Sequence, residues 1–138
     1  MSELNCKNAA IRFRHHFLYS GGVLTVATRL NYETREVHIG WAVFNPSDKK
    51  WVRKIGSTIA KNRLENSNLY YTLSEHEPIL CDYLSLRALQ LISGLYTVKN
   101  GDFAVNSNAN RIPISKTTLD DIIQEMHRIT GIFGGRLV

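Results

Sequence analysis

Cysteine, proline and long apolar runs are scarce in this sequence, which has two cysteines and three prolines in 138 residues. Cys6 and Cys81 are too few for a disulfide framework, and no C-x-x-C spacing indicates a metal or redox site. We expect two free thiols, with Cys81 buried. No segment approaches the roughly 18 consecutive apolar residues that cross a bilayer, and the polar N-terminus lacks the apolar core of a signal peptide. A soluble, cytoplasmic protein is therefore expected.

Signatures of catalysis are also missing. The chain has no phosphate-binding G-x-x-x-x-G-K-[ST] loop, no H-E-x-x-H metal motif and no G-x-S-x-G nucleophile elbow. His15 and His16 are adjacent, but no acidic or cysteine residue stands at the spacing of a metal site. Cys81 and Asp82 lie in an apolar helical run, where a thiol is typically inert. We expect no cofactor, no metal and no enzymatic activity.

What the chain does have is the length and balance of one globular domain over residues 1–138, with 43% apolar and 21% charged residues. It divides into a strand-rich basic half (about 1–65), a helix–hairpin–helix half (about 70–131) and a short tail (132–138). Short strands with unpaired edges also favour a homo-oligomer, whose stoichiometry the sequence leaves open.

The net charge of +5 is unevenly distributed along the chain. Residues 1–64 carry eleven Lys and Arg against four acids, which gives +7, and residues 65–138 carry six bases against eight acids, which gives −2. A charge difference of this size inside one domain predicts one face with a positive potential that attracts polyanions.

Three alternating, strand-favouring segments come first. The segment 9–19 ends at a Gly-Gly break, and 23–32 has the pattern of its hairpin partner. The third, 36–45, is apolar on both faces, which predicts a central strand with Trp41 in the core.

Helices are expected after these strands. Ser57 is the expected N-cap of a short helix, and a cap at Ser74 precedes a Leu-dense, buried helix over 79–92. Thr118 opens a capping box for a last amphipathic helix that ends at Gly131.

A hairpin is expected between the last two helices. Asn-Gly in the segment 95–105 is typical of a type I′ turn, and 111–114 can form a short edge strand. The predicted fold is α+β, an antiparallel sheet with helices packed on one side, in an order that allows two strands-then-helix halves. In element order it resembles the whirly and Pur-type single-strand-binding proteins, although no diagnostic motif is shared.

The segment 41–64 carries the most distinctive pattern, an R-K-x-G-x-x-I-A-x-x-R core. It comprises Arg53, Lys54, Gly56, Ile59, Ala60 and Arg63. This core resembles a signature of small, mostly uncharacterised proteins of tailed bacteriophages, which implies a phage origin and the cytoplasm of an infected bacterium. Arg53 and Lys54 stand just before the predicted helix start, where free N–H groups also favour anions. Gly56 would allow close backbone approach or a positive φ.

Aromatic residues interleave with these cations. Trp51, between Lys50 and Arg53, is the best candidate for stacking on an unpaired base, and Tyr19, Tyr32, Tyr70 and Tyr71 are further candidates. Arg12, Arg14 and His16 point the same way on the first strand; they can track a nucleic-acid backbone if that face is open, and must pair or snorkel if a helix covers it. The expected nucleic-acid-binding residues are Arg12, Arg14, Lys49, Lys50, Trp51, Arg53, Lys54, Lys61 and Arg63.

Three functions stay open at this level. A non-enzymatic module for nucleic acid, preferably single-stranded DNA or RNA, fits the basic half and its aromatics. A phage host-takeover protein that binds and modulates an acidic bacterial host protein fits the same charge. A hydrolytic enzyme acting on nucleotides or nucleic acid is the third and least supported.

Overall fold

A computed structural model describes residues 10–44, 50–66, 69–94, 96–99, 102–105 and 116–132. Its elements follow in chain order: β1 (Arg12–Phe17), β2 (Val23–Leu30), β3 (Glu36–Phe44), α1 (Arg53–Asn66), β4 (Tyr70–Thr72), α2 (Cys81–Gly94), β5 (Tyr96–Lys99), β6 (Asp102–Val105) and α3 (Lys116–Ile132). The predicted α+β class is confirmed. No helix among the described residues is long and apolar enough to span a membrane.

Strands β1 to β4 form one antiparallel sheet in sequence order, and β5 pairs with β6 in a separate hairpin. β2 pairs with β3 along its whole length and with β1 from Val23 to Thr28, so the three predicted strands are confirmed with shorter ends. β4 is a strand that the sequence pattern does not indicate, since it is only three residues long. It pairs with β3 and brings the second half of the chain into the sheet of the first.

The larger part of the core lies between the sheet and the pair α2 and α3. Trp41 is fully buried there, as predicted. Alternation along β2 and β3 directs one row of side chains to this core. The row comprises Leu24, Val26, Leu30, Val37, Ile39 and Trp41, and it packs with Leu84, Leu89, Ile92, Ile122 and Ile129 from the helices.

Helix α1 packs on the opposite face of the sheet. Small residues allow a close approach there: Ala27 of β2 and Ala42 of β3 lie against Ala60 and Leu64 of α1. A Cβ added at Gly40 would clash with the helix backbone at residues 60 and 64, so glycine is required by the packing. Helices therefore cover both faces of the sheet, and the prediction that they pack on one side is wrong.

Helix α1 begins five residues earlier than predicted, since Val52 rather than Ser57 occupies the N-cap position. Val52 precedes it, and its carbonyl accepts from the amides of Ile55 and Gly56 at 3.1 and 3.2 Å. Valine is a poor N-cap type, so no capping residue marks this start in the sequence. Ser57 consequently lies inside the helix, and Arg53 and Lys54 belong to its first turn rather than to a preceding loop.

The other two helix starts also differ from their predicted caps. Ser74 and Glu77 form a separate turn, in which the Ser74 amide donates to Glu77 Oε1 at 2.9 Å, and α2 begins only at Cys81. α3 begins at Lys116, so Thr118 lies inside it. The predicted hairpin is confirmed by the pairing of β5 with β6. Its Asn-Gly turn, the predicted edge strand 111–114 and the tail 133–138 lie outside the described residues.

Candidate nucleic-acid interface

Strand β1 directs its side chains to two different environments. Arg12, Arg14 and His16 share the face that carries α2 and α3, so their common orientation is confirmed, and the face is covered. Arg12 Nη1 donates to Cys81 Sγ at 3.3 Å, and Arg14 forms an ion pair with Asp82. These two arginines therefore pair with α2, which was the expected result for a covered face.

The opposite face of β1 contributes to an open groove of about 370 Å³. We call it the aromatic groove; it is lined by Phe13, Arg14, His15, Phe17, Trp51 and Arg53. The Trp51 ring lies 5.3 Å from the Phe17 ring and 5.2 Å from the His15 ring, both edge to face. Phe17 is nevertheless 68% exposed and Phe13 39% exposed. Large apolar rings of this exposure, next to an arginine, form a surface suited to ligand contact.

Trp51 is positioned by the close approach of α1 to β2. A Cβ added at Gly56 would lie 2.9 Å from Thr25 Oγ1 and 3.5 Å from Trp51 Nε1. Thr25 is buried and its hydroxyl is hydrogen-bonded to His15 Nδ1 at 2.8 Å. Gly56 thus serves close packing, one of the two roles expected from the sequence, and it allows the indole to lie against β1.

The charge in the aromatic groove comes from arginine rather than histidine. Partial burial lowers the pKa of His15, and the nearby positive charge of Arg53 lowers it further. His15 is therefore neutral at pH 7. Arg53 is exposed in the first turn of α1, where no acidic residue offsets it and where the helix dipole is also positive.

The remaining predicted cations divide into groups. Lys50, Lys54 and Lys61 are exposed before and along α1. Arg63 is half-buried, and its Nη1 donates to the Trp41 carbonyl oxygen at 3.0 Å, which ties α1 to β3. Lys49 lies outside the described residues. The nine predicted residues thus do not share one face, because Arg12 and Arg14 are directed to the opposite side of the sheet from α1.

The two adjacent histidines have separate surroundings. His16 is 1% exposed, and its Nδ1 is hydrogen-bonded to Glu125 Oε2, while Arg128 Nε donates to Glu125 Oε1 at 2.6 Å. Burial lowers the pKa of His16, and the bond to Glu125 offsets part of this effect. His15 faces α1 instead. No group of three metal-ligating side chains occurs within the described part of the chain.

Cys81 is exposed, so the prediction of a buried thiol is wrong. It is the first residue of α2, and the apolar residues before it, Ile79 and Leu80, are also exposed, at 40% and 52%. The apolar segment that begins at Ile79 is thus exposed at its start, and α2 enters the core only from Leu84 onward. Cys6 lies outside the described residues.

Aromatic residues of the interface are only partly evident from the sequence. Phe13 and Phe17 can be recognised by their alternation with Arg12, Arg14 and His16, but which face of the strand is open depends on where the helices pack. Of the tyrosines, Tyr19, Tyr32 and Tyr70 are exposed outside the aromatic groove. Tyr71 is buried, and its hydroxyl donates to the Leu84 carbonyl at 2.9 Å.

Comparison of the chain with protein-family models, with curated proteins and with solved structures gave no match.

Proposed function

We propose that this protein is a non-enzymatic nucleic-acid-binding module that prefers single-stranded DNA or RNA. The observation that carries the proposal is the aromatic groove, where exposed Phe13 and Phe17 adjoin Trp51 and Arg53. Aromatic rings beside a cation bind unpaired bases and phosphates together without sequence readout. The phage origin and the bacterial cytoplasm, implied by the resemblance of segment 41–64, belong to the same proposal.

The electrostatics of α1 support this assignment. Lys50, Arg53, Lys54 and Lys61 are exposed, and the first turn of the helix has no acid. Phosphate contacts fix the position of a bound strand and supply most of its affinity, by release of counterions. The exposed cations of α1 would supply these contacts, whereas Arg12 and Arg14 contribute less because they pair with α2.

The test is a fluorescence-anisotropy titration of labelled single-stranded DNA and RNA at low salt. Arg53→Ala should weaken binding and reduce the magnitude of the slope of log K against log[salt] by about 0.7. Arg12→Ala is the matched control, since Arg12 is an exposed arginine on the other face of the sheet. Absence of binding at low salt, or equal effects of the two variants, would contradict the proposal.

A protein ligand is the second candidate function, and one observation favours it. Val52, Ile55 and Ile59 are 42%, 57% and 37% exposed along one side of α1, beside Lys54. An apolar stripe flanked by cations suits an acidic host protein. A pull-down from nuclease-treated bacterial lysate separates the two candidates: partners lost with Ile55→Asp but not with Phe17→Leu favour the protein ligand.

A further inference from the structure

Strand β1 places its groove-facing rings at a fixed spacing. Phe13, His15 and Phe17 are alternate residues, so neighbouring positions in this row are about 6.8 Å apart along the strand and the two phenylalanine positions about 14 Å apart. His15 is in edge-to-face contact with Trp51, which leaves the phenylalanines as the more exposed rings of the row. The groove therefore offers two separate stacking positions along one line.

This spacing does not match a double helix. Successive bases of one strand in B-DNA are about 3.4 Å apart and are stacked on each other, which leaves no free base face along the duplex. Two stacking positions about 14 Å apart match next-but-one bases of a strand that rises about 6.8 Å per nucleotide, twice the value in B-DNA. Only an unpaired, extended strand can meet this requirement.

We infer that the aromatic groove binds an extended single strand by stacking two unpaired bases, one on Phe13 and one on Phe17, with one nucleotide between them whose phosphate lies at Arg53. The inference rests on the proposed function and adds the register of the ligand. Arg53 lines the same groove as Phe13, His15 and Phe17, so its guanidinium is available to a phosphate of the strand that the two phenylalanines hold.

The same arrangement predicts tolerance of base identity. A phenyl ring has no hydrogen-bond donor or acceptor, so neither stacking position can distinguish the polar edges of the bases. His15 Nδ1 is already hydrogen-bonded to Thr25 Oγ1, and His15 Nε2 is buried, so neither ring nitrogen is exposed to read a base. Specificity is thus expected for unpaired over paired strands, and not for a sequence.

The experiment compares three ligands of about eight nucleotides: an oligothymidylate, an abasic oligomer with the same phosphodiester backbone, and a duplex. Phe13→Leu and Phe17→Leu keep an apolar side chain and remove the π face. Each should weaken oligothymidylate binding roughly 5- to 150-fold and leave abasic binding unchanged. Tyr32→Leu, which removes an exposed aromatic outside the groove, should change neither.

The outcomes separate the inference from the proposed function. If the abasic oligomer or the duplex binds as tightly as oligothymidylate, the protein contacts phosphates alone; the stacking register is then wrong and nucleic-acid binding stands. If Phe17→Leu weakens both single-stranded ligands equally, the ring has a structural role and the register is also wrong. If no ligand binds, both the inference and the proposed function are wrong.

Discussion

The Trp51 indole meets the Phe17 ring edge to face, at a centroid distance of 5.3 Å and an interplanar angle of 81°. The contact joins the segment before α1 to the end of the edge strand β1, so the two sides of the aromatic groove are held together by their own rings. Such a pair contributes about 0.5–1.5 kcal/mol beyond the area that it buries. The groove is therefore expected to be largely formed before a ligand arrives.

Intrinsic fluorescence should report binding through Trp51 alone. Trp51 is half-buried in the groove, whereas Trp41 is fully buried in the core. Titration with oligothymidylate should quench the emission, because a base stacked on Phe17 lies next to the Trp51 indole and cannot reach Trp41 in the core. Trp51→Phe should abolish the quenching, and Trp41→Phe, with its fold checked by circular dichroism, should retain it. Quenching that persists in Trp51→Phe would place the ligand elsewhere.

Gly40→Ala should destabilise the protein strongly. The added methyl group would meet the backbone of α1, which cannot move aside as a flexible side chain can. Overpacking of this kind costs about 3 kcal/mol, and the helix that carries Arg53 would be displaced. Gly131→Ala is the matched control, because nothing lies within 4 Å of its added Cβ. It should be neutral or stabilise the protein by up to about 1 kcal/mol in urea unfolding.

Stability should fall as the pH drops below about 6.5. Burial lowers the pKa of His16 despite its bond to Glu125, with the charges of Arg14 and Arg128 acting in the same direction as burial. The unfolded chain therefore binds more protons than the folded one between the two pKa values of His16. The free energy of unfolding therefore has its highest value above the pKa that His16 has in the unfolded chain. It decreases as the pH falls below that pKa, with a slope of up to about 1.4 kcal/mol per pH unit.

Urea unfolding between about pH 8 and pH 5 measures this slope. Glu125 contributes to the pH dependence of stability only at lower pH. Burial raises the pKa of Glu125, but the hydrogen bonds to Arg128 and His16 lower it by more, so the pKa lies below the ordinary value. His16→Gln should flatten the profile, while replacement of the exposed His127 by Gln should leave it unchanged. An NMR titration of the His16 imidazole gives the folded pKa directly, and an ordinary or raised value would overturn the explanation.

Local patterns account for most of the secondary structure. Alternation predicts β1, β2 and β3, and the turn type predicts the hairpin of β5 and β6, because each signal lies within a few neighbouring residues. The start of α1 at Arg53 has no such signal, since Val52 is not a capping type. This start is instead explained by two close contacts between residues that are distant in the sequence. Gly40 of β3 packs against the backbone of α1, and Gly56 of α1 packs against Thr25 of β2.

The candidate site depends on long-range geometry for the same reason. The sequence places cations and Trp51 near one helix start, and this part of the prediction corresponds to the aromatic groove. It does not reveal that Arg14 is paired with Asp82, or that Phe13 and Phe17 face the open side, because both follow from the side on which each helix packs. A strand pattern defines two faces but not which of them is covered.

Asp82→Asn should raise the affinity for single strands only through the change in net charge. The Arg14 side chain lies on the α2 face of β1, where it pairs with Asp82, so neutralising Asp82 frees the guanidinium on the side opposite Phe13 and Phe17. Asp120→Asn is the control, since Asp120 is an exposed acid on α3 that does not line the groove and gives the same change in net charge. The two variants should therefore have equal salt slopes. A slope that is larger in magnitude by about 0.7 for Asp82→Asn alone would mean that Arg14 contacts the strand.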